Sequence, residues 1–206
     1  MAVDAQIVEL NEVASLQAGY PFRTTVGQAA NGDVLVVQMK DVDVDAGVQW
    51  ANTVRTRLAG RKQPDWIQDG DILFAAKGAR FYAVCALAPP GRAVCVPAFF
   101  HLRVRAGAQV DPQFLVWQIN QPPCQRQLLQ AAEGSSQLSL RRPVLERLTL
   151  SIPAFDEQRR IAALAELAQL ERRALQRLIS NREQQLQAIA EDLSAPASKT
   201  RMQDKK

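Results

Sequence analysis

The sequence predicts an α+β protein: a mixed α/β domain over residues 1–155, followed by one long C-terminal α-helix of coiled-coil type over residues 156–193. Three observations carry this. Apolar runs of strand length, bounded by Gly, Asp and Pro turns, give way to helical patterns within the first three-quarters of the chain. Residues 156–193 then contain neither Gly nor Pro and are rich in Ala, Leu, Gln, Glu and Arg, which are strong helix formers. Finally, 206 residues at 47% hydrophobic and 22% charged are enough for one domain with an appendage, and unlike a disordered, collagen-like or disulfide-stapled chain.

Each element has a local reason. Apolar side chains at 10, 13, 14 and 16 are spaced for a short helix or turn, which Gly19-Tyr20-Pro21-Phe22 ends. Ala29-Ala30-Asn31-Gly32-Asp33 is a turn, and Val34-Leu35-Val36-Val37 a buried strand. Asp69-Gly70-Asp71 turns into a strand at 72–75, and 82–86 and 93–96 read as a pair of strands about Pro89-Pro90-Gly91. Along 99–105, Phe100, Leu102 and Val104 face a core while His101, Arg103 and Arg105 point the other way. His101, the single histidine, is therefore expected to be solvated.

The helical part begins at Asp111, an N-cap followed by Pro112 at the favoured first position. Pro122-Pro123 interrupts it, a second helix runs through Leu128, Leu129, Ala131 and Ala132 to Gly134, and Ser139 caps a short third one carrying Leu145 and Leu148. Residues 150–153 leave in extended form. In the final helix Ile161, Leu164, Ala168, Leu175, Leu178, Leu186, Ile189 and Leu193 mark one face, with Glu171 and Arg182 as interruptions. A helix of that length extends ~57 Å, more than a small domain covers, so its stripe calls for another helix. Residues 194–206, with four basic side chains, are expected to form a disordered basic tail.

Several function classes are excluded. No apolar run approaches the roughly 20 residues of a membrane span, and Met1-Ala2-Val3-Asp4 lacks the basic flank and apolar core of a signal peptide. Cys85, Cys95 and Cys124 show no metal-type spacing, and reduced thiols in a cytoplasmic protein are expected. Gln121-Pro122-Pro123-Cys124 lacks the Asn or Asp and the aromatic of an amino-methyltransferase motif. Pro64-Asp65 with Lys77 lacks the acid two residues before the lysine, where Ala75 stands, so no nuclease metal pair is offered. No Walker loop or nucleophile elbow is present, although a Ser/His/Asp set stays open. No catalysis is expected in this chain.

Charge is uneven. Residues 1–54 carry 2 basic and 7 acidic side chains, whereas residues 55–105 carry 9 basic and 3 acidic. That basic block, Arg55, Arg57, Arg61, Lys62, Lys77, Arg80, Arg92, Arg103 and Arg105, fits a polyanionic partner or a solvated surface. Lys77-Gly78-Ala79-Arg80 suits a reading loop, because glycine permits a tight turn presenting both cations. Gly134-Ser135-Ser136-Gln137, beside Arg141 and Arg142, is a second candidate, since Gln pairs with adenine and Arg with guanine.

Ordered blocks of the chain resemble the specificity (S) subunits of type I restriction-modification systems. They are Glu9-Leu10-Asn11-Glu12-Val13-Ala14 with Gly19-Tyr20-Pro21-Phe22, then Gly70-Asp71-Ile72-Leu73-Phe74-Ala75-Ala76-Lys77-Gly78, then Val110-Asp111-Pro112-Gln113-Phe114-Leu115 and Gly134-Ser135-Ser136-Gln137-Leu138-Ser139-Leu140. The longest runs from Leu150-Ser151-Ile152-Pro153-Ala154-Phe155 to Asp156-Glu157-Gln158-Arg159-Arg160-Ile161-Ala162. Such subunits usually carry two target recognition domains and two spacer helices; this chain has one of each and so resembles a half-size form. The resemblance implies a non-catalytic chain in which residues 1–155 read one half of a split double-stranded DNA site. The 156–193 helix would space the halves and dock a methyltransferase subunit, which would carry the S-adenosylmethionine; a restriction subunit is a further partner the resemblance implies.

Arg55, Arg57, Arg61, Lys62, Lys77, Arg80, Ser135, Ser136, Gln137 and Arg141 are the expected DNA contacts. Ile161, Leu164, Leu175, Leu178, Leu186 and Ile189 are the expected helix seam of a homodimer, which would read an interrupted palindrome. The alternative is a non-enzymatic helical adaptor, scaffold or decoy subunit that recognises protein rather than DNA.

Overall fold

The computed structural model describes residues 4–22, 25–29, 31–58, 63–134 and 138–194; the 195–206 part of the expected tail lies outside them. In chain order the strands are β1 Ala5–Glu9, β2 Ala14–Ala18, β3 Val34–Val37, β4 Val42–Asp43, β5 Gly47–Val48, β6 Val54–Thr56, β7 Asp71–Ala75, β8 Lys77–Gly78, β9 Tyr82–Ala86, β10 Ala93–Cys95, β11 Phe99–Val104, β12 Leu138–Ser139 and β13 Thr149–Pro153. The α-helices are α1 Leu10–Val13, α2 Pro112–Asn120, α3 Pro122–Gln130, α4 Arg142–Glu146 and α5 Phe155–Ser194. This is an α+β chain ending in a long helix.

A four-stranded antiparallel sheet, β2-β11-β7-β9, forms the centre, and a second sheet, β10-β3-β6, packs on one of its faces. The strand β7 is buried throughout because both its faces are covered. Ile72 and Phe74 meet Leu115, Ile119 and Leu128 of α2 and α3, whereas Leu73 and Ala75 meet Leu35, Val37 and Ala93 of the second sheet. Burying each large side chain contributes about 1.5–3 kcal/mol. On the far face of the second sheet, Val34, Val36 and Val94 pack with Tyr20 and the half-buried Phe22, Leu58 and Trp66.

The strand β1 pairs antiparallel with β13. On β13, backbone groups of Thr149 and Ser151 are satisfied by glutamines. Gln118 Nε2 donates to the Ser151 carbonyl at 2.6 Å, and Gln127 exchanges two hydrogen bonds with Thr149 at 3.1 and 3.2 Å.

Four local expectations change. Only Leu10–Val13 is helical in the first segment, closed by a Glu9–Glu12 capping box; Ala14 and Leu16 are buried by strand alternation in β2. Residues 82–86 and 93–95 do not pair with each other: β9 runs antiparallel to β7, and β10 parallel to β3. Helix α3 ends at Gln130, and Gly134 stands beyond it at φ +95°. Ser139 lies in β12 rather than capping α4, whose N-cap is Arg141.

The largest change concerns His101, which is 3% exposed rather than solvated. Phe100, Leu102 and Val104 do face the helix-side core. On the opposite side of β11, Asp65 and Trp66 from the segment leading into β7 bond to His101 and Arg103, so alternation correctly predicts which way His101 points but not its burial.

Helix α5 is rooted by Gln158, which is fully buried. Its Nε2 donates to the carbonyls of Gln109 and Pro153 at 2.9 and 2.8 Å, and its Oε1 accepts from Asp111 N–H at 2.8 Å. The chain divides into two compact units, Met1–Ala165 and Glu166–Lys206. No described helix is long and apolar enough to cross a membrane.

Candidate nucleic-acid interface

The first candidate loop is brought against the residues that follow the second. After β7, Lys77 and Gly78 of β8 pair antiparallel with Ser139 and Leu138 of β12. Ser139 also exchanges backbone hydrogen bonds with Glu133 at 2.8 and 3.0 Å. A small platform thus joins residues 77–80, 133 and 138–140. Its root is firm, because Phe81 is buried and stacks on Phe74 at 6.1 Å. Gly78 adopts φ +135°, a conformation that L side chains rarely enter, which lets the chain turn between the two cations.

Lys77 and Arg80 are exposed, and the Arg80 guanidinium lies 5.7 Å from the centre of the Tyr82 ring. Arg141 is exposed but paired with Glu133 at 3.0 Å, so its charge is partly compensated. Ser135, Ser136 and Gln137 lie outside the described residues. Arg55 and Arg57 belong to a different sheet: Arg55 is exposed on β6, and Arg57 Nε donates to the Asn31 carbonyl at 3.0 Å. Arg61 and Lys62, which follow them, are not described.

A second polar site stands at the opposite end of β7. Asp71, buried at its start, accepts from His101 Nε2 at 2.7 Å, from Arg103 Nε at 2.8 Å, from Arg103 NH2 at 2.7 Å and from Gln68 N–H at 2.7 Å. Asp65 completes the group, 3.3 Å from His101 Nδ1 and 3.3 Å from Arg103 NH1. Arg103 also donates to the Trp66 carbonyl at 2.8 Å.

Burial alone would push the Asp71 carboxyl up. The hydrogen bonds from His101, Arg103 and Gln68 outweigh it and bring the carboxyl down to about 2. The same Asp71 hydrogen bonds hold Arg103 above its ordinary value. Both His101 nitrogens face carboxylates, so neither is left to activate the nearby Ser15 hydroxyl, which lies 3.3 Å from the Arg103 carbonyl. Among the described residues no group of three or more His, Cys, Asp or Glu could hold a metal ion. The cysteines are free, and burial pushes Cys85 and Cys95 up to about 12 and Cys124 up to about 11, leaving no reactive thiolate.

His101, Arg103 and Asp65 of this cluster line an open cleft of about 400 Å³, with Gln17, Tyr20 and Gln63 among its walls. Sequence reasoning missed it, since His101 and its acid partners are 30 or more positions apart in the chain.

No family model matches the sequence, and no curated protein matches it. Solved structures do. The HsdS subunit from Thermoanaerobacter tengcongensis superposes with a TM-score of 0.59 at 18% identity, over 84% of this chain and 39% of that one. A chain from work on complex assembly and conformational transition of the type I R-M system gives 0.65 at 20%, over 90% and 43%. The S subunit of the type I restriction-modification system from M. genitalium gives 0.53 at 15%, over 88% and 43%. The fold is that of a type I S subunit. The chain spans about two-fifths of the length of these structures.

In this S-subunit fold the seam candidates lie along α5. Ile161 is half-buried and belongs to the first unit, as does Leu164, which is exposed. Leu175, Leu178, Leu186 and Ile189 are all more than half exposed in the single chain. Leu193 of that stripe is exposed, and Leu167 and Ile179, also exposed, widen it at about 100° per residue.

Proposed function

We propose that this chain is a non-catalytic DNA-reading subunit that directs a partner methyltransferase to a bipartite site. The observation that carries the reading is the β8–β12 pairing, which sets the cations of residues 77–80 beside Leu138 and Ser139 on an S-subunit fold. Lys77 and Arg80 engage DNA there, with Arg55, Arg57, Arg61, Lys62, Ser135, Ser136, Gln137 and Arg141 as further contacts. The exposed leucine stripe of α5 takes a second helix, most simply from a second copy of this chain about a two-fold axis. A symmetric pair of readers accepts a symmetric site, so the target is an interrupted palindrome whose gap the helix sets. S-adenosylmethionine belongs to the methyltransferase partner. Any restriction subunit joins through that complex, which works in the cytoplasm.

The test is methylome sequencing of cells carrying the chain with its cognate methyltransferase, alongside sedimentation of the purified chain. A two-part palindromic methylation motif and a dimer are expected. A contiguous or asymmetric motif, or a monomer even with the methyltransferase present, contradicts the dimeric form of the reading. Absence of any chain-dependent modification, with no preference among duplexes in a random pool, favours protein recognition instead.

A further inference from the structure

The cleft over His101 is unused by the loops just described, and its chemistry differs from theirs. Its lining sets the Asp65 carboxylate against the Arg103 guanidinium and the His101 imidazole, both already bonded to the buried Asp71 carboxylate, so it does not present the cationic surplus that a phosphate needs. Its size lies within the range of small-ligand sites, and its Tyr20 wall is buried and apolar in its packing. Two glutamines, Gln17 on β2 and Gln63 from the segment before β7, stand exposed on its walls.

Neither carboxamide has a hydrogen-bond partner among the described residues, in contrast to Gln118, Gln127 and Gln158, each bonded to backbone. Gln63 follows Arg61-Lys62 directly in the chain. An uncharged donor–acceptor pair above a fixed polar floor suits a neutral ring edge bearing both donors and acceptors.

We infer that this cleft reads a nucleobase edge, with Gln17 and Gln63 as specificity-determining groups; the inference rests on the DNA-reading function proposed above. The carboxamide of a glutamine matches the paired donor and acceptor of adenine. Asp65 and Arg103 act as positioning residues. Asp65 is tied to His101 and Arg103, Trp66 gives its carbonyl to Arg103, Ile67 N–H donates to Ala93 at 2.9 Å, and Gln68 N–H donates to Asp71. These ties hold the Gln63 side of the cleft against the sheet at successive residues.

Selection from a randomised duplex pool, with affinities measured against salt, tests this on the full chain with its methyltransferase. Gln17→Ala and Gln63→Ala are each expected to relax preference at one position, by about 5- to 150-fold in discrimination. The salt slope should stay at the parental value, since no phosphate-bound charge is removed. Asp65→Asn removes a negative charge near the DNA. A purely electrostatic role for Asp65 tightens binding to every sequence alike, whereas a positioning role lowers discrimination as Gln63→Ala does. If the parent selects a motif and both glutamine variants select the same motif with the same stringency, the cleft is not a reading site. If the parent selects no motif, the DNA-reading function itself fails.

Discussion

At the Asp71 end of β7 the polar groups are mutually satisfied around two buried members; just past the other end, at Lys77 in β8, they stand exposed on a two-residue ladder. Asp71 and His101 are each 3% exposed and bonded to one another, with Arg103 closing the group. Lys77 has no such enclosure, and Arg80 only overlies the Tyr82 ring. One strand thus carries a structural clasp and a presenting loop. The contrast teaches how a small domain can fix one polar site for shape and leave another free for a polyanion: satisfied buried charges rigidify, whereas exposed unpaired ones remain available for partners.

The sharpest way to break this comparison is to remove the clasp. Asp71→Ala leaves Arg103 and His101 without their shared carboxylate. Truncating one partner of a buried ionic group is expected to destabilise by about 3–5 kcal/mol. Lys77→Ala should move stability by no more than about 0.5 kcal/mol, as surface substitutions do. Urea denaturation followed by circular dichroism checks both. Equal shifts at the two ends would mean that the clasp is no more structural than the loop.

Acid is a milder form of the same attack. The folded Asp71 carboxyl sits at about 2, below its ordinary 3.8, so the ionised form stabilises the fold. That contribution is fully present above pH ~4 and is lost as pH falls from about 4 through 2. The shift corresponds to about 2 kcal/mol. Stability measured from pH 5 to pH 2 should therefore fall more steeply in the parent than in Asp71→Asn. Parallel pH profiles would place the acid sensitivity elsewhere.

The central apolar strands and the helix-rich C-terminus were legible because their signals are local. Val34-Leu35-Val36-Val37 and Ile72-Leu73-Phe74-Ala75 are continuous apolar runs, Asp111-Pro112 is a cap, and residues 156–193 hold no breaker. What the sequence hid is pairing at a distance. Nothing near His101 in the chain names Asp65 or Asp71, and period-two alternation tells which way a side chain points but not whether something covers it. Likewise β9 and β10 look like a hairpin about Pro89-Pro90-Gly91 yet enter different sheets. Nothing in either sequence segment marks that residues 77–78 pair with 138–139. The idle carboxamides of Gln17 and Gln63 leave no mark in the sequence at all.

The presenting end is tested by function rather than by stability. Lys77→Ala with Arg80→Ala is expected to weaken DNA binding by about 1–3 kcal/mol while the denaturation midpoint hardly moves. The lysine change alone should lower the salt slope by about one. Fluorescence anisotropy over a salt series separates the two residues. A phosphate-binding Lys77 weakens all duplexes alike, and a base-reading Arg80 relaxes preference at one position. Binding to selected and random duplexes that matches the parent would remove this loop from the interface.

The smallest effect expected concerns the turn that separates the two cations. Gly78 has open space around the position of an added Cβ, so Gly78→Ala meets no neighbour; its backbone, however, sits at φ +135°. The substitution therefore carries conformational strain alone, about 1 kcal/mol. Gly91 is the matching control, because it too has open space but lies outside the left-handed region. Gly91→Ala is expected to be neutral or stabilising by a few tenths of a kcal/mol, through loss of freedom in the unfolded chain. Thermal denaturation of the two variants reads the difference directly. If Gly78→Ala relieves its strain by letting the ladder to Leu138 and Ser139 slip, DNA affinity should fall further than stability does, because the loop then presents Lys77 and Arg80 in a different register. If affinity and stability are both unchanged, the platform tolerates another backbone path, and the glycine is not what sets the two cations in place.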